Sequence, residues 1–170
     1  MNPSRRTFLV TGALGVAALA AGGWLHTRRR GARAGSALGS QGRTVIAAMA
    51  PAFLAGALPE DATRAVAIAE TVDAVDGAVA GLPPATQAEL AQLFGLLAFT
   101  PARLALAGLV ADWPDASTDA VAAALGRWQH SRLALLRSAY DGLHQLVLAA
   151  WYGNPRALPA IGYPGPPALA

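Results

Sequence analysis

Apolar residues recur every three to four positions from about residue 42 to residue 151, which is the periodicity of amphipathic helices. Glycine and proline clusters divide the pattern, which predicts helices over residues 42–58, 59–80, 84–97, 101–109 and 117–151. No stretch shows the two-residue alternation of a β-strand. The chain is therefore predicted to be all-α, with about five helices in one small domain.

Polar residues at the ends of these segments predict how the helices begin. Ser40 is placed to cap the first helix, and the pair Thr86 and Glu89 has the spacing of a capping box in the third. Ser117 opens the last and longest helix, in which a bend is expected near Gly126 or Gly142.

A different pattern occupies the first 34 residues. Two arginines within Ser4-Arg5-Arg6-Thr7-Phe8-Leu9 precede an uncharged apolar run over residues 8–25. This arrangement resembles the twin-arginine export signal, which directs folded proteins across the bacterial inner membrane. The resemblance implies that Ser4, Arg5, Arg6, Phe8 and Leu9 form the export signal and that the Tat translocase recognises the two arginines. The protein is then expected in the periplasm or at the periplasmic face of the inner membrane.

Two outcomes fit the end of this leader. Ala32-Arg33-Ala34 offers a cleavage site before Gly35, which would release a mature domain. Alternatively, residues 8–25 stay as an uncleaved anchor, with the arginines that follow lying against lipid headgroups. A dinucleotide-binding turn is not expected here, because position 17 is alanine and no acidic residue occurs before Glu60.

Charge is divided unevenly between the leader and the remainder. The chain has a net charge of +3, but six of its 13 basic residues lie in the leader and all 10 acidic residues follow it. Residues 34–170 thus carry seven arginines against 10 acids, a net charge of −3, so nucleic-acid binding is not expected. The absence of cysteine excludes disulfides, thiolate zinc sites, iron–sulfur clusters and attached c-type haem within this chain.

The polar residues do not form a recognisable catalytic set. On one continuous helix His130 and His144 would share a face about 21 Å apart, too far for one metal ion. His144 could also form a hydrogen bond with Asp141, three residues earlier. The remaining candidates are weaker still: Asp73 with Asp76, a carboxylate pair or a solvated face, and Ser131 and Ser138, which lack a recognisable base. No catalytic, cofactor-binding or metal-binding residues are predicted.

Aromatic residues concentrate in the last third of the chain. Trp128 and Tyr140 are expected in the core, whereas the segment after residue 152 is rich in glycine and proline and forms a predicted docking tail over residues 153–170. Its alternative is to fold back along its own helices. The predicted partner interface consists of Trp151, Tyr152, Gly153, Asn154, Pro155, Gly162, Tyr163, Pro164 and Gly165.

This tail, together with the leader and the Leu82-Pro83-Pro84 helix junction, resembles the gluconate 2-dehydrogenase small subunit (subunit 3) family. The resemblance implies a helical accessory subunit of a glucose–methanol–choline-type flavoprotein dehydrogenase. FAD is then expected in the partner, the large dehydrogenase subunit, and not in this chain. Such complexes often contain a cytochrome c subunit as a third component.

Three functions are consistent with these features. The first is a non-catalytic subunit that escorts a periplasmic FAD-dependent sugar or alcohol dehydrogenase through the twin-arginine pathway and stabilises it. The second is a free-standing periplasmic domain that binds a ligand or another protein. The third is a membrane-anchored structural protein, which requires that residues 8–25 are retained.

Overall fold

The computed structural model describes residues 36–158, and this part of the chain is all-α, as predicted. The leader and residues 159–170 lie outside the described residues, so the export-signal residues and the Gly162–Gly165 part of the predicted interface fall there. The described helices are α1 (Gly39–Phe53), α2 (Arg64–Ala80), α3 (Pro84–Ala98), α4 (Thr100–Ala107), α5 (Thr118–Gln129) and α6 (Ala134–Tyr152), with short 3-10 turns at Trp113–Asp115 and Pro155–Ala157.

Helix α1 is the centre of the domain and packs against α2, α3, α5 and α6. The predicted apolar stripe of this helix is confirmed, because Val45, Ile46 and Met49 are fully buried. Gly42 allows α3 to approach closely, since a Cβ at this position would lie 3.1 Å from the Phe94 ring. The glycine is therefore needed for packing rather than for backbone conformation.

The first two helices differ from the prediction at their ends. Helix α1 begins at Gly39 with no side-chain cap, so the capping role predicted for Ser40 is wrong. The Asp76 carboxylate takes over instead, accepting a hydrogen bond of 2.8 Å from the backbone N–H of Leu38. Helix α1 ends at Phe53 rather than at residue 58, and α2 begins at Arg64 rather than at residue 59.

The junction between α2 and α3 lies where the sequence predicts it, but its capping is different. Helix α3 begins at Pro84 after Pro83, so Thr86 and Glu89 do not form the predicted capping box. The Gln87 side chain instead donates a hydrogen bond of 2.8 Å to the carbonyl oxygen of Leu82. It thereby satisfies a carbonyl just beyond α2, as the free carbonyls near helix ends require.

The predicted long helix over residues 117–151 is two helices, α5 and α6. Ser117 caps α5 as predicted, accepting a hydrogen bond of 3.2 Å from the N–H of Ala120. The chain breaks at residues 130–133, where the Ser131 hydroxyl accepts a bond of 3.1 Å from the N–H of Leu133. A bend is expected near Gly126 or Gly142, but the interruption lies at residues 130–133, and both glycines lie within helices.

Side chains of α5 secure the end of α4. The Arg127 guanidinium donates to the carbonyl oxygen of Ala107, and the Trp128 indole N–H donates to that of Leu106, both at 2.6 Å. Gly108 follows in the left-handed conformation, with φ of 61°. Trp128 is 1% exposed, so the prediction that it lies in the core is confirmed.

Candidate docking interface

The two aromatic residues that open the predicted interface point in opposite directions. Trp151 is 1% exposed and belongs to the core, whereas Tyr152 is 44% exposed. Trp151 therefore does not lie on the surface where the sequence analysis places it. Its indole N–H has no hydrogen-bond acceptor among residues 36–158, although it is buried. Of the pair, only Tyr152 is accessible to a partner.

The start of the predicted docking tail folds back on helix α2. Glu70 accepts hydrogen bonds from Asn154 Nδ2 at 2.9 Å and from Arg156 Nε at 2.7 Å. The side-chain oxygen of Asn154 also accepts a bond of 3.0 Å from the N–H of Arg156, which shapes the turn at Pro155. We call Glu70, Asn154 and Arg156 the tail clamp. For residues 153–158 the geometry corresponds to the alternative in which the tail follows its own helices.

The tail clamp predicts a stability change in acid. Hydrogen bonds from Asn154 and then from Arg156 hold the pKa of Glu70 below its ordinary value of 4.5. The contribution of Glu70 to stability is therefore fully present above pH 4.5 and is lost as the pH falls through the lowered pKa of the folded state. We expect Glu70→Gln to reduce the loss of stability between neutral and acidic pH, measured by urea unfolding at both.

Asn154→Ala should reduce the same acid dependence, because Asn154 provides the first of the two hydrogen bonds. Asp61→Asn is the matched control, since Asp61 has its own lowered pKa through hydrogen bonds from Thr63. The reductions in acid dependence caused by Asp61→Asn and by Glu70→Gln should add in the double variant, because the two sites are independent. An unchanged acid dependence in Glu70→Gln would contradict the role of the clamp.

Exposed apolar side chains occur elsewhere, on the bent pair of helices α3 and α4 and in the residues beside them. Four large ones are at least half exposed, and we call them the α3–α4 face: Leu96, Phe99, Leu104 and Val110. Arg103 is the only charged residue between positions 90 and 111. It is 3% exposed and forms an ion pair of 2.6 Å with Asp112. The surface contributed by residues 90–111 is therefore essentially uncharged.

The α3–α4 face has the composition of an interface core, which is depleted of charge and contains aromatic side chains. This face is not among the sites predicted from the sequence. A recognisable feature was available, because residues 90–111 carry more apolar positions than a single buried stripe requires. Helical periodicity predicts the helices but not which of these apolar residues stay exposed. In the structure Leu96 and Leu104 are 53% and 50% exposed.

Within residues 36–158 no single helix is both long and apolar enough to cross a bilayer, and α3 and α4 meet those criteria only as a pair bent by 90°.

The polar residues considered as candidate sites in the sequence form contacts that connect or end helices. Arg43 forms ion pairs with both Asp73 and Asp76, so these two carboxylates join α1 to α2. His130 Nδ1 lies 2.9 Å from the carbonyl oxygen of Gly126, at the end of α5. Because α5 and α6 are separate helices, the prediction that His130 and His144 share one helix face is wrong.

His144 belongs to an aromatic cluster. Its ring stacks on that of Tyr140, with centroids 5.5 Å apart and planes at 10°, and both rings meet the edge of Phe53. Among residues 36–158, His144 makes no hydrogen bond to Asp141, and no three His, Cys, Asp or Glu residues are grouped as a metal site requires.

Comparison with known proteins adds no relative. The chain matches no family model, no curated protein and no solved structure. Support for a function therefore comes from the leader motif and from the surface of residues 36–158.

Proposed function

We propose that this protein is a non-catalytic accessory subunit that docks on a folded flavoprotein dehydrogenase. It escorts that partner through the twin-arginine pathway and stabilises it in the periplasm. The observation that carries the proposal is the uncharged α3–α4 face, with Phe99 exposed at the bend between two helices. A surface of this kind is stable in water when another protein covers it.

The geometry of the bend favours a protein partner with a shaped surface. Helices α3 and α4 meet at 90° around Phe99, which is 60% exposed. Leu96 precedes Phe99 by three residues and Leu104 follows it by five, so each of the two helices carries an exposed leucine near the bend. Phenylalanine is enriched at protein interfaces, which makes Phe99 the candidate anchor of this face.

The one charged residue of this segment, Arg103, is paired within the domain. Its guanidinium lies 3.4 Å from the carbonyl oxygens of Leu109 and Val110, and it also binds the exposed Asp112. The charge of Arg103 is thus buried and paired with groups of the segment that follows α4, so it adds no exposed charge to the α3–α4 face. A partner that covers the face buries no unpaired charge there, which avoids the main cost of desolvation.

The leader motif supports the escort role. Twin-arginine export accepts folded proteins, and the cysteine-free chain carries no recognised cofactor motif of its own. A flavoprotein, in contrast, must be folded around FAD before export if the cofactor is to be carried with it. One leader on the small subunit can then serve both proteins when they associate before transport.

Replacing Arg5 and Arg6 together by lysine tests the escort role. We expect the dehydrogenase partner to remain in the cytoplasm, because the transporter recognises the arginine pair and not positive charge alone. The measurement is the dehydrogenase activity and the amount of partner in periplasmic and cytoplasmic fractions of the native host.

The matched control replaces Arg28 and Arg29 by lysine, which makes the same change in a pair that follows the apolar run. This variant should export the partner normally. Export of the partner by the Arg5 and Arg6 variant at the normal level would refute the escort role, whatever the fate of this chain itself.

A further inference from the structure

A pocket opens between α1, α5 and α6, away from the residues of the α3–α4 face. Its volume is about 160 Å³, and its wall consists of three rings, one amide side chain and small or aliphatic residues: Ala52, Phe53, Ala122, Leu125, Gly126, Gln129, Tyr140 and His144. An enclosed cavity of about 150 Å³ holds a molecule of the size of benzene. This pocket has a similar volume but is open to solvent on one side, so a single ring that enters it stays partly exposed.

The side of the pocket formed by Gly126 is unobstructed. A Cβ placed on Gly126 would meet no atom within 4 Å other than its own helix and chain neighbours. Gly126 lies within α5, where alanine would favour the helix by about 1 kcal/mol. The glycine thus leaves empty space at a position where a side chain would be tolerated.

The rings in the wall select the shape of a ligand. Tyr140 and His144 are stacked nearly parallel, and Phe53 presents its ring at 63° to both. A planar ring in this pocket can pack against faces and edges of these side chains in the arrangements that aromatic pairs prefer. An aliphatic ring of the same volume lacks that complementarity.

The polar groups in the wall select the chemistry. Tyr140, His144 and Gln129 carry hydrogen-bonding groups; the first two are half-buried and Gln129 is exposed. No aspartate, glutamate, lysine or arginine lines the pocket. An uncharged ligand with a hydroxyl or carbonyl substituent satisfies these groups without burying a charge.

We infer that this pocket is a binding site for a small, uncharged, single-ring aromatic molecule that carries a hydrogen-bonding substituent, such as a phenol. The inference does not depend on the proposed partner, because all of the wall belongs to this chain.

Phenol is the probe for the first test, with binding to the purified full chain measured by calorimetry and by saturation-transfer NMR. We expect phenol to bind at millimolar or lower concentration and cyclohexanol, of similar size, to bind more weakly. Benzoate should also bind more weakly, since its charge would lose hydration. Absence of phenol binding at millimolar concentration, or equal binding of cyclohexanol, would overturn the inference.

Gly126→Leu tests the location of the site. The leucine should fill the pocket and weaken phenol binding at least about tenfold, equivalent to the loss of a modest set of contacts. Gly142→Leu is the matched control, because Gly142 is also helical with no atom within 4 Å of a Cβ but does not line the pocket. Unchanged phenol affinity in Gly126→Leu would place binding elsewhere and refute the site.

Tyr140→Phe gives a second measurement if Gly126→Leu proves poorly folded by circular dichroism. It keeps the ring next to Phe53 and His144 and removes only the hydroxyl. Phenol affinity should fall several-fold, whereas benzene affinity should stay the same. Equal loss for both probes, or loss for neither, would contradict the role of the polar groups.

Discussion

Replacing Trp128 by alanine should lower the free energy of unfolding by about 3–5 kcal/mol, as truncation of a buried aromatic residue does. The side chain is 1% exposed, and it belongs to α5 and to the buried hydrophobic core. Its indole N–H is also the donor to the carbonyl oxygen of Leu106 at the end of α4. The substitution therefore creates a cavity and leaves a carbonyl without its partner.

Trp128→Phe separates the two effects. It keeps much of the ring and removes the hydrogen bond to Leu106, so the expected loss is smaller, about 1–3 kcal/mol. Tyr152→Ala is the surface control, because Tyr152 is 44% exposed and its loss should lie within about 0.5 kcal/mol. Urea unfolding followed by circular dichroism measures all three. A Trp128→Ala variant as stable as Tyr152→Ala would show that α4 is not held by α5.

Glutamates at Leu96 and Leu104 should abolish association with the partner. Both side chains belong to the α3–α4 face, and a charge at the centre of an apolar interface loses hydration without gaining a counter-ion. Each substitution should weaken binding by at least about 30-fold, the equivalent of a 2 kcal/mol hot spot. The measurement is recovery of the partner with a tagged chain, followed by titration of the purified components.

Val66→Glu is the matched control for these substitutions. Val66 lies on α2 and is 49% exposed, against 53% for Leu96 and 50% for Leu104, so the change in surface chemistry is the same. The control should retain the partner, and all variants should unfold at similar urea concentrations. Retention of the partner by the variant with both glutamates would exclude the α3–α4 face as the docking surface.

The sequence predicts the helical class and the core of α1 because both follow from the spacing of apolar residues. Val45, Ile46 and Met49 face inward as that spacing requires. In α2 the spacing of apolar residues is a weaker guide: Val66 is exposed, whereas Ala67 and Thr71 are buried. Threonine is usually exposed, and Thr71 is accommodated in the core because its hydroxyl donates a hydrogen bond of 2.8 Å to the carbonyl oxygen of Ala67.

The break between α5 and α6 could not be predicted from periodicity. Leu133 continues the apolar pattern through residues 130–133 yet is 62% exposed, and local hydrogen bonds of His130 and Ser131 hold the turn. Such bonds compete with the helix at residues that give no apolar signal.

The candidate interface shows the same limit. Trp151 and Tyr152 are adjacent aromatic residues, and the composition of the tail does not indicate that one is buried and the other exposed. The tail clamp joins residues 84 and 86 positions apart in the sequence, a contact that only the folded chain brings together. The α3–α4 face could not be predicted either, because periodicity locates helices without showing which of their apolar residues a neighbouring helix covers.

Purification of the tagged full chain from its native envelope fraction, with an absorbance spectrum and mass spectrometry of the recovered complex, tests the accessory-subunit proposal most directly. The proposal predicts a stoichiometric partner of dehydrogenase size with flavin absorbance. It also predicts that the Leu96→Glu and Leu104→Glu chain loses this partner, while Val66→Glu keeps it. A colourless, well-folded monomer recovered from the wild type would contradict the proposal.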